Sequence, residues 1–459
     1  MPYFELHARS AFSFLEGASL PETLASVCVA QNLPALALLD RNGVYGSPRF
    51  HMAAQKNGIR AHVGAEISVT DAFGTSYYPV LCQSRVGYQN LCKLLTKTKL
   101  RAPKNTPTAA TISELEEHAE GLICLTGDEQ GPLARALCSG GMAAAREWLT
   151  RLKSIFGARG VYVELQRHLQ REQERRNRTA IELAREQALP LLATNGVSHA
   201  TAAEREVLDV FTCIRNKRKL ETAGRLLCRH AERYVKTPEQ MSRLFADVPE
   251  AVANTVELSS RLEFSLEKLG YEFPKYPVPD GGSQSEYLRV LTEQGARERY
   301  KSPSDRVRRQ LEKELRLIEK LDLAGYFLIV WDIVRFCRDS GILVQGRGSA
   351  ANSAVCYSLG ITAVDPIGME LLFERFLSEE RGEWPDIDLD LPSGDEREKA
   401  IQYVYKRYGE RGAAMTANVN TYRGRSAARE VGKVFGFDTE TLDRLSKMVG
   451  GWEWRGARS

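Results

Sequence analysis

The sequence predicts an α/β protein in which a (β/α)7-like barrel is followed by a mixed α+β region and a short helical segment. Two observations predict this fold class. Apolar runs of strand length alternate with helical stretches from residue 1 to about residue 195, a pattern typical of a parallel sheet covered by helices. Beyond residue 200 the chain becomes helical and charged, until a short apolar strand, a glycine turn and a row of aspartates follow one another between residues 342 and 390.

The first region is expected to contain seven strands, at Tyr3 to His7, Ala35 to Asp40, His62 to Val69, Tyr78 to Cys82, Leu122 to Thr126, Val161 to Leu165 and Leu189 to Thr194. Between them we expect helices at Pro21 to Gln31, Arg49 to Lys56, Tyr88 to Leu100, Ala143 to Phe156 and Glu172 to Gln187. A barrel or a doubly wound sheet would fit this alternation, and seven strands favour the barrel. In barrels the chemistry lies at the C-terminal ends of the strands, where the sequence places His7, Asp40, Glu66 and Asn195.

Prolines and glycines between residues 274 and 282 indicate a domain boundary, which we place at residue 270. Two polar helices are expected after it, Ser285 to Tyr300 and Ser304 to Leu321. The next helix, Gly325 to Cys337, reads GYFLIVWDIVRFC and is strongly apolar. It is too short to span a membrane, so we expect it in a core beneath the functional site.

A glycine turn follows the short strand Ile342 to Val344, with the sequence GRGS from Gly346 to Ser349. The run Ala350 to Leu359 is predicted to be a helix. A strand, a glycine turn and a helix N-terminus together favour anion binding, because free backbone N–H groups and the helix dipole attract negative charge. Arg347 adds a donor for phosphate oxygens. The turn lacks the Gly-Lys-Ser/Thr ending of a P-loop, and a plain strand-to-helix connection is the alternative interpretation.

Three aspartates, Asp386, Asp388 and Asp390, occupy alternate positions of a predicted strand and therefore share one of its faces. Ile387 and Leu389 on the other face are expected to point into the core. Carboxylates of this kind suit Mg²⁺, which takes one or two of them together with substrate phosphates. The alternative is a solvated edge strand protected by its charge.

Several segments closely resemble the catalytic palm of the bacterial DNA polymerase III alpha subunit family, the C-family polymerases. They are GRGSAANS, DPIGMELLFERFL and PDIDLDL, followed by YGERGAAMTANVNTYRGRSAAREVGKVFG. The segment FSFLEGAS near the start is most similar to the error-prone members of that family, which act after DNA damage. The resemblance covers essentially the whole chain. It implies a barrel domain with a helical extension over residues 1–270, a partial palm over 271–417 and the start of a thumb over 418–459.

The resemblance implies a DNA-directed DNA polymerase that adds deoxynucleotides to a primer 3′ end by two-metal nucleotidyl transfer, with Mg²⁺ as cofactor. It assigns catalysis and metal binding to Asp386 and Asp388, and binding of the triphosphate to Arg347, Gly348, Ser349 and Arg375. The implied partners are primer-template DNA, deoxynucleoside triphosphates and, in a full-length relative, a sliding clamp and mutasome-type accessory proteins. The family's third catalytic aspartate lies well over a hundred residues further on, so we expect an incomplete chain with little primer extension alone.

The barrel resembles the polymerase-and-histidinol-phosphatase (PHP) domain that opens this family. Intact members bind a metal cluster through a His-x-His pair, a Thr-Asp-His-Asp run and a glutamate. Here the pair reads His7, Ala8, Arg9 and the run reads Leu39, Asp40, Arg41, Asn42, with Glu66 as the glutamate. An arginine at a ligand position places a permanent cation where a metal would bind.

We therefore expect a degenerate PHP site at His7, Arg9, Asp40, Arg41 and Glu66, in which the surviving carboxylates pair with the arginines. Two other functions stay open from the sequence. One is a PHP-type metal-dependent phosphoesterase, and the other is a non-catalytic fragment that binds nucleotide or DNA.

Composition excludes several other classes. The chain has 459 residues, of which 43% are hydrophobic and 27% charged, and its net charge of +4 does not by itself indicate nucleic-acid binding. No signal peptide and no run of eighteen apolar residues are present, which argues against secretion and membrane insertion. The nine cysteines form no C-x-x-C pair, as expected of reduced thiols in a cytoplasmic protein.

Overall fold

The computed structural model describes residues 1–103, 106–269, 273–378 and 385–449. The chain divides into two compact units, residues 1–269 with 421–459 (unit 1) and residues 270–420 (unit 2). The boundary predicted at residue 270, the stretch 379–384 before the acidic strand, and the last ten residues of the expected thumb lie outside the described residues. The division into barrel, palm and thumb stays a prediction.

Unit 1 is built around one sheet whose eight strands are β1 (Glu5–Ala8), β2 (Ala35–Arg41), β3 (Arg60–Asp71), β4 (Gly74–Cys82), β5 (Ala110–Thr111), β6 (Leu122–Leu125), β7 (Val161–Leu165) and β8 (Leu191–Ala193). The order is β1-β2-β3-β4-β6-β7-β8, and β5 pairs with β3. All seven predicted strands are present. Beyond β8, Val197 pairs in parallel with Ala8 of β1, so the sheet curls back towards its own first strand as a half-barrel.

Strand β4 departs from the parallel arrangement that the alternation predicts, because it runs antiparallel to both β3 and β6. Asp71 is paired with Gly74 at the end of the β3–β4 hairpin. A parallel crossover needs a dozen or more residues, so a turn this short forces the strand to reverse. Gly74 adopts φ +100°, a conformation that favours glycine.

The helices are α1 (Pro21–Ala30), α2 (Ser47–Lys56), α3 (Arg85–Leu100), α4 (Ile112–Glu117), α5 (Pro132–Phe156), α6 (Arg171–Glu186), α7 (Arg205–Asn216), α8 (Leu220–Ala223), α9 (Pro238–Leu244), α10 (Pro249–Arg261), α11 (Gln284–Arg299), α12 (Asp305–Lys320), α13 (Ala324–Asp339), α14 (Ala354–Ser358), α15 (Asp395–Tyr408), α16 (Gly424–Val434) and α17 (Thr439–Met448). Helix α5 starts eleven residues before the predicted Ala143. Gly141 interrupts it at φ 65°, so its first half shows no continuous helical pattern in the sequence.

Both faces of the unit 1 sheet are buried. Leu36 and Leu38 of β2 belong to the large core beneath the outer helices, whereas Ala37 and Leu39 belong to a second core that includes Leu258 of α10. A strand buried on both faces reads as a continuous apolar run, which explains the sequence ALALLD in β2.

Unit 2 packs α11 to α14 around one apolar core that includes Phe327 and Leu328 of α13. Its two strands, β9 (Gln345–Arg347) and β10 (Asp388–Asp390), form an antiparallel pair. The strand predicted at Ile342 to Val344 is wrong, because those residues precede β9, which comprises the next three. Among the helices that the structure describes, none combines the length and the apolar character needed to cross a membrane.

Candidate functional site

The acidic strand and the glycine turn lie side by side in unit 2. In the β9–β10 pair, Asp388 is opposite Arg347 and Leu389 is opposite Gly346. Gly348 follows β9 with φ +69°, and a Cβ added to it would stand 4.0 Å from the Asp388 Oδ2 atom. Backbone at the turn can therefore approach whatever the Asp388 carboxylate binds.

The two faces of β10 differ as the alternation predicts. Arg347 contacts both aspartates of the strand, with its Nη2 atom 3.3 Å from Asp388 Oδ2 and its Nε atom 3.0 Å from Asp390 Oδ1. Ile387 is buried and Leu389 packs against the core of unit 2. Asp386 lies in the segment just before β10 and is exposed to solvent.

Tyr326 of α13 contacts the backbone between the two aspartates that the resemblance assigns to the metals. The Ile387 N–H donates a hydrogen bond of 2.9 Å to the Tyr326 hydroxyl. Burial raises the pKa of Tyr326, and the charges of Asp386 and Asp388 raise it further, while the Ile387 N–H lowers it. The sequence predicts this apolar helix beneath the site but does not predict the contact. Tyr326 is the one residue of α13 with a hydroxyl group, and that was the feature in the sequence that could have indicated it.

A cleft of about 650 Å³ opens beside the glycine turn, lined by Gly348, Ser349, Asn352, Glu374, Arg375 and Ser378. Its volume lies within the range of small-molecule binding sites. The fold thus brings Arg375 and the turn residues Gly348 and Ser349 to one cleft, although Arg375 lies well beyond them in sequence.

The prediction that the helix after the turn offers a free N-terminus is wrong. A 3-10 turn over Gly348–Asn352 comes first, and α14 begins only at Ala354. The N–H groups of Ala354 and Val355 each donate a hydrogen bond of 3.0 Å to the carboxylate of Glu314 on α12. Because this internal carboxylate accepts from the N–H groups at the start of α14, those groups are not available to an external anion.

The sequence did contain a signal for Glu314. Helix α12 buries Val307, Leu311, Leu315 and Ile318 on one face. Residue 314 lies three positions after Leu311 and falls on that same face. An acidic residue on the apolar face of a helix indicates a buried partner, which here is the start of α14.

The barrel site of unit 1 is closed by ion pairs. The fully buried His7 contacts Glu164 through Nδ1 and Glu66 through Nε2, both at 2.7 Å. The Nε atoms of Arg9 and Arg41 lie 2.8 and 3.0 Å from one oxygen of Glu66. Glu66 therefore pairs with both arginines, as the sequence predicts.

Charge in this cluster is balanced internally. Burial alone would raise the pKa of Glu66, but Arg9, Arg41 and His7 hold it well below its usual range. Burial would lower the pKa of His7, but the charges of Glu164 and Glu66 outweigh it and raise that pKa to about 10. Glu66 is thus an anion enclosed by cations, which leaves little electrostatic attraction for a metal ion.

The prediction that Asp40 pairs with the arginines is wrong. Its carboxylate accepts hydrogen bonds from the Ser10 N–H at 2.8 Å, the Ser10 hydroxyl at 2.9 Å and the Ser13 hydroxyl at 2.8 Å. Asn195, which the sequence also places at a strand end, is not bonded to Asp40. Its side chain donates to the backbone carbonyls of Glu232 and Tyr234, both at 2.7 Å. The serine loop after β1 satisfies Asp40, so the arginines are left to Glu66.

The two sites differ in how well they fit a metal ion. Within residues 1–103, 106–269, 273–378 and 385–449, no group of three or more His, Cys, Asp or Glu is arranged to hold one. In unit 1, the guanidinium groups around Glu66 do not fit the metal cluster of an intact PHP domain. In unit 2, Asp386 is exposed and Asp388 is half-buried beside Arg347, so both carboxylates reach solvent, and a pair of carboxylates is a donor set that hard cations accept.

The stability that Glu5 and His7 contribute to unit 1 is expected to fall as the pH rises from 4.5 to about 10. Burial raises the pKa of Glu5 from 4.5 to about 7, and the pKa of His7 rises from 6.5 to about 10. Both groups bind their protons more tightly in the folded state, so each contributes stability that is lost as the pH rises from its unfolded to its folded pKa. For Glu5 this loss occurs between pH 4.5 and about 7, and for His7 between pH 6.5 and about 10. Differential scanning calorimetry of the wild type and of His7→Gln would measure this. The variant should show a flatter dependence above pH 7, and an equally steep one would contradict the role of His7.

Comparison with known proteins matches both units. Residues 286–457 match the family described as the bacterial DNA polymerase III alpha NTPase domain, and residues 5–168 match the PHP domain family. The chain is 42% identical over 462 residues to the error-prone DNA polymerase of Mycolicibacterium paratuberculosis and 43% identical over 460 residues to that of Mycobacterium tuberculosis. Each alignment covers 98% of this chain and 42% of the relative.

A more distant relative gives the same picture. The error-prone DNA polymerase of Anaeromyxobacter dehalogenans is 38% identical over 535 residues, covering 98% of this chain and 46% of the relative. The chain thus spans less than half the length of the curated relatives it matches. The chain thus carries a PHP domain and a bacterial DNA polymerase III alpha domain, and it is similar over nearly its whole length to error-prone DNA polymerases.

Proposed function

We propose that this chain serves DNA-directed DNA synthesis by binding the incoming deoxynucleoside triphosphate together with Mg²⁺. The observation that carries the proposal is the pairing of β9 with β10, which sets the Asp388 carboxylate beside the Gly348 backbone. The cleft lined by Ser349 and Arg375 opens from the same turn. The glycine turn thus has a carboxylate beside it and an arginine in the adjoining cleft, and these are the groups that a metal-bound triphosphate requires.

In this proposal Asp386 and Asp388 hold Mg²⁺, and the backbone N–H groups of Gly348 and Ser349 bind the triphosphate with Arg375 and Arg347. Bound Mg²⁺ would supply charge neutralisation on the triphosphate and a lower pKa for the primer 3′-hydroxyl. Asp390 is exposed and pairs with Arg347, so we assign it to orienting that arginine. Primer-template DNA, a sliding clamp and accessory proteins belong to the same proposal, as does a cytoplasmic location.

Nucleotide titration tests the proposal directly. A fluorescent deoxynucleoside triphosphate should bind the chain in the presence of Mg²⁺ and lose most of its affinity when EDTA is added. The matching monophosphate should bind weakly under both conditions, because it lacks the phosphates that the turn and the metal hold. Triphosphate binding that is independent of Mg²⁺ would instead indicate a non-catalytic binding fragment, and no binding would contradict the proposal.

We further propose that the PHP-like barrel is retained for structure and has no phosphoesterase activity. The enclosure of Glu66 by Arg9, Arg41 and His7 supports this.

Elemental analysis of the purified chain after dialysis should therefore find no zinc or manganese in stoichiometric amount. A full equivalent of either metal that disappears in the Glu66→Gln variant would refute a purely structural barrel. So would hydrolysis of a phosphodiester by the wild type that Glu66→Gln abolishes.

A further inference from the structure

We propose that Tyr326 is a positioning residue that fixes the backbone between Asp386 and Asp388 and thereby aims both carboxylates at the same metal site. The inference rests on the proposed function, because it adds a residue to the site proposed there. Its first observation is the hydrogen bond of 2.9 Å from the Ile387 N–H to the Tyr326 hydroxyl. Ile387 is the one residue between the two aspartates, so a bond to its backbone acts on both.

The strand itself holds only part of this segment. Strand β10 begins at Asp388, which is paired with Arg347 at the end of β9. Asp386 and Ile387 precede the strand and lie beyond that pairing. A backbone N–H at such a position must find a partner outside the sheet when it is buried, and the Tyr326 hydroxyl is that partner.

Packing fixes the hydroxyl in turn. Tyr326 lies on α13, and its ring makes edge contacts with Phe273 at 5.5 Å and with Phe327 at 6.2 Å between ring centroids. Phe327 is fully buried in the core of unit 2, and Ile387 belongs to the same core. The Tyr326 hydroxyl thus transmits the rigidity of α13 to the segment that carries Asp386.

The direction of the side chains follows from this contact. Ile387 points into the core, so Asp386 and Asp388, one residue to each side, point away from it. If the Ile387 N–H lost its acceptor, the peptide before the strand would gain rotational freedom. Asp386 would then reach the metal only part of the time, and a site made of two carboxylates depends strongly on each.

The test is Tyr326→Phe in the whole chain, compared with Tyr300→Phe as a matched control. Tyr300 is also a half-buried tyrosine of unit 2, and its hydroxyl donates to Asp365 at 3.0 Å. Two readouts are needed. Hydrogen exchange of the segment 385–391 measures the backbone, and electron paramagnetic resonance of free Mn²⁺, with a deoxynucleoside triphosphate present, measures metal affinity.

Tyr326→Phe should speed exchange at Ile387 and weaken Mn²⁺ binding, each about tenfold, which is the loss expected for one hydrogen bond. Tyr300→Phe should change neither. Faster exchange with unchanged Mn²⁺ affinity would overturn the inference, and so would an equal loss of Mn²⁺ affinity in Tyr300→Phe. Failure of the proposed function would give a different result, because the wild type, Asp386→Asn and Asp388→Asn would then all bind Mn²⁺ with the same affinity.

Discussion

Asp388→Asn is expected to weaken Mg²⁺-dependent binding of a deoxynucleoside triphosphate by about 100-fold, or about 3 kcal/mol. The amide keeps the shape of the side chain but removes the charge that draws the metal ion. Asp388 lies next to Gly348, where the proposal places the metal-bound triphosphate. Asp386→Asn should cause a loss of similar size. The measurement is the titration of a fluorescent triphosphate with and without Mg²⁺.

Asp390→Asn is the matched control for this loss. Asp390 belongs to the same strand and pairs with the same arginine, at 3.0 Å from Arg347 Nε, but the proposal gives it no metal. Its substitution should change triphosphate affinity by about threefold or less, the range of an exposed ion pair. If Asp390→Asn and Asp388→Asn had equal effects, the strand would act only by holding Arg347, and the metal assignment would be wrong.

Glu314→Ala is expected to destabilise α14 and the adjoining glycine turn by about 3 to 4 kcal/mol. The fully buried carboxylate accepts from Gln310 at 2.8 Å, from the Ser353 hydroxyl at 2.8 Å, and from two N–H groups at the start of α14. Alanine would leave all four donors without their acceptor, and three of them, the Ser353 hydroxyl and the N–H groups of Ala354 and Val355, belong to buried residues. Native-state hydrogen exchange of the α14 amides would measure the change, because it reports the stability of this local region.

Glu319→Ala on the same helix is the control, since Glu319 is exposed and its loss should cost about 0.5 kcal/mol or less. A cost below about 1 kcal/mol for Glu314→Ala would show that the cap contributes little. Such a small cost would mean that the hydrogen bonds of Glu314 do not fix the position of the glycine turn.

Local patterns predicted the sheet of unit 1 well and its long-range features poorly. Seven strands follow from apolar runs because β-strands buried on both faces consist mostly of apolar residues. The reversal of β4 depends on a hairpin of two residues, a signal that the alternation of strands and helices obscures. The two-residue strand β5 is too short to produce any pattern.

At the candidate site, the sequence predicted which chemical groups come together and missed the residues that hold them. The acidic strand and the glycine turn are separate motifs whose meaning depends on proximity, and pairing of β9 with β10 supplies it. Tyr326 and Glu314 lie on helices far away in sequence, so only tertiary packing reveals their contacts. Asp332 is similar: its buried carboxylate accepts from the hydroxyls of Tyr403 at 2.7 Å and Tyr408 at 3.0 Å.

In the barrel, residue type was more informative than position. Arginine at two ligand positions predicted that Glu66 would be neutralised, because a guanidinium is always charged and binds carboxylates. The fate of Asp40 depended on the serines of the loop after β1, whose conformation no local pattern specifies.

Anomalous diffraction from crystals soaked with Mn²⁺ and a non-hydrolysable deoxynucleoside triphosphate tests the central claim most directly. We expect manganese between Asp386 and Asp388, with the triphosphate on the N–H groups of Gly348 and Ser349. Manganese at Glu66 in the barrel, with the acidic strand unoccupied, would contradict this account of both units.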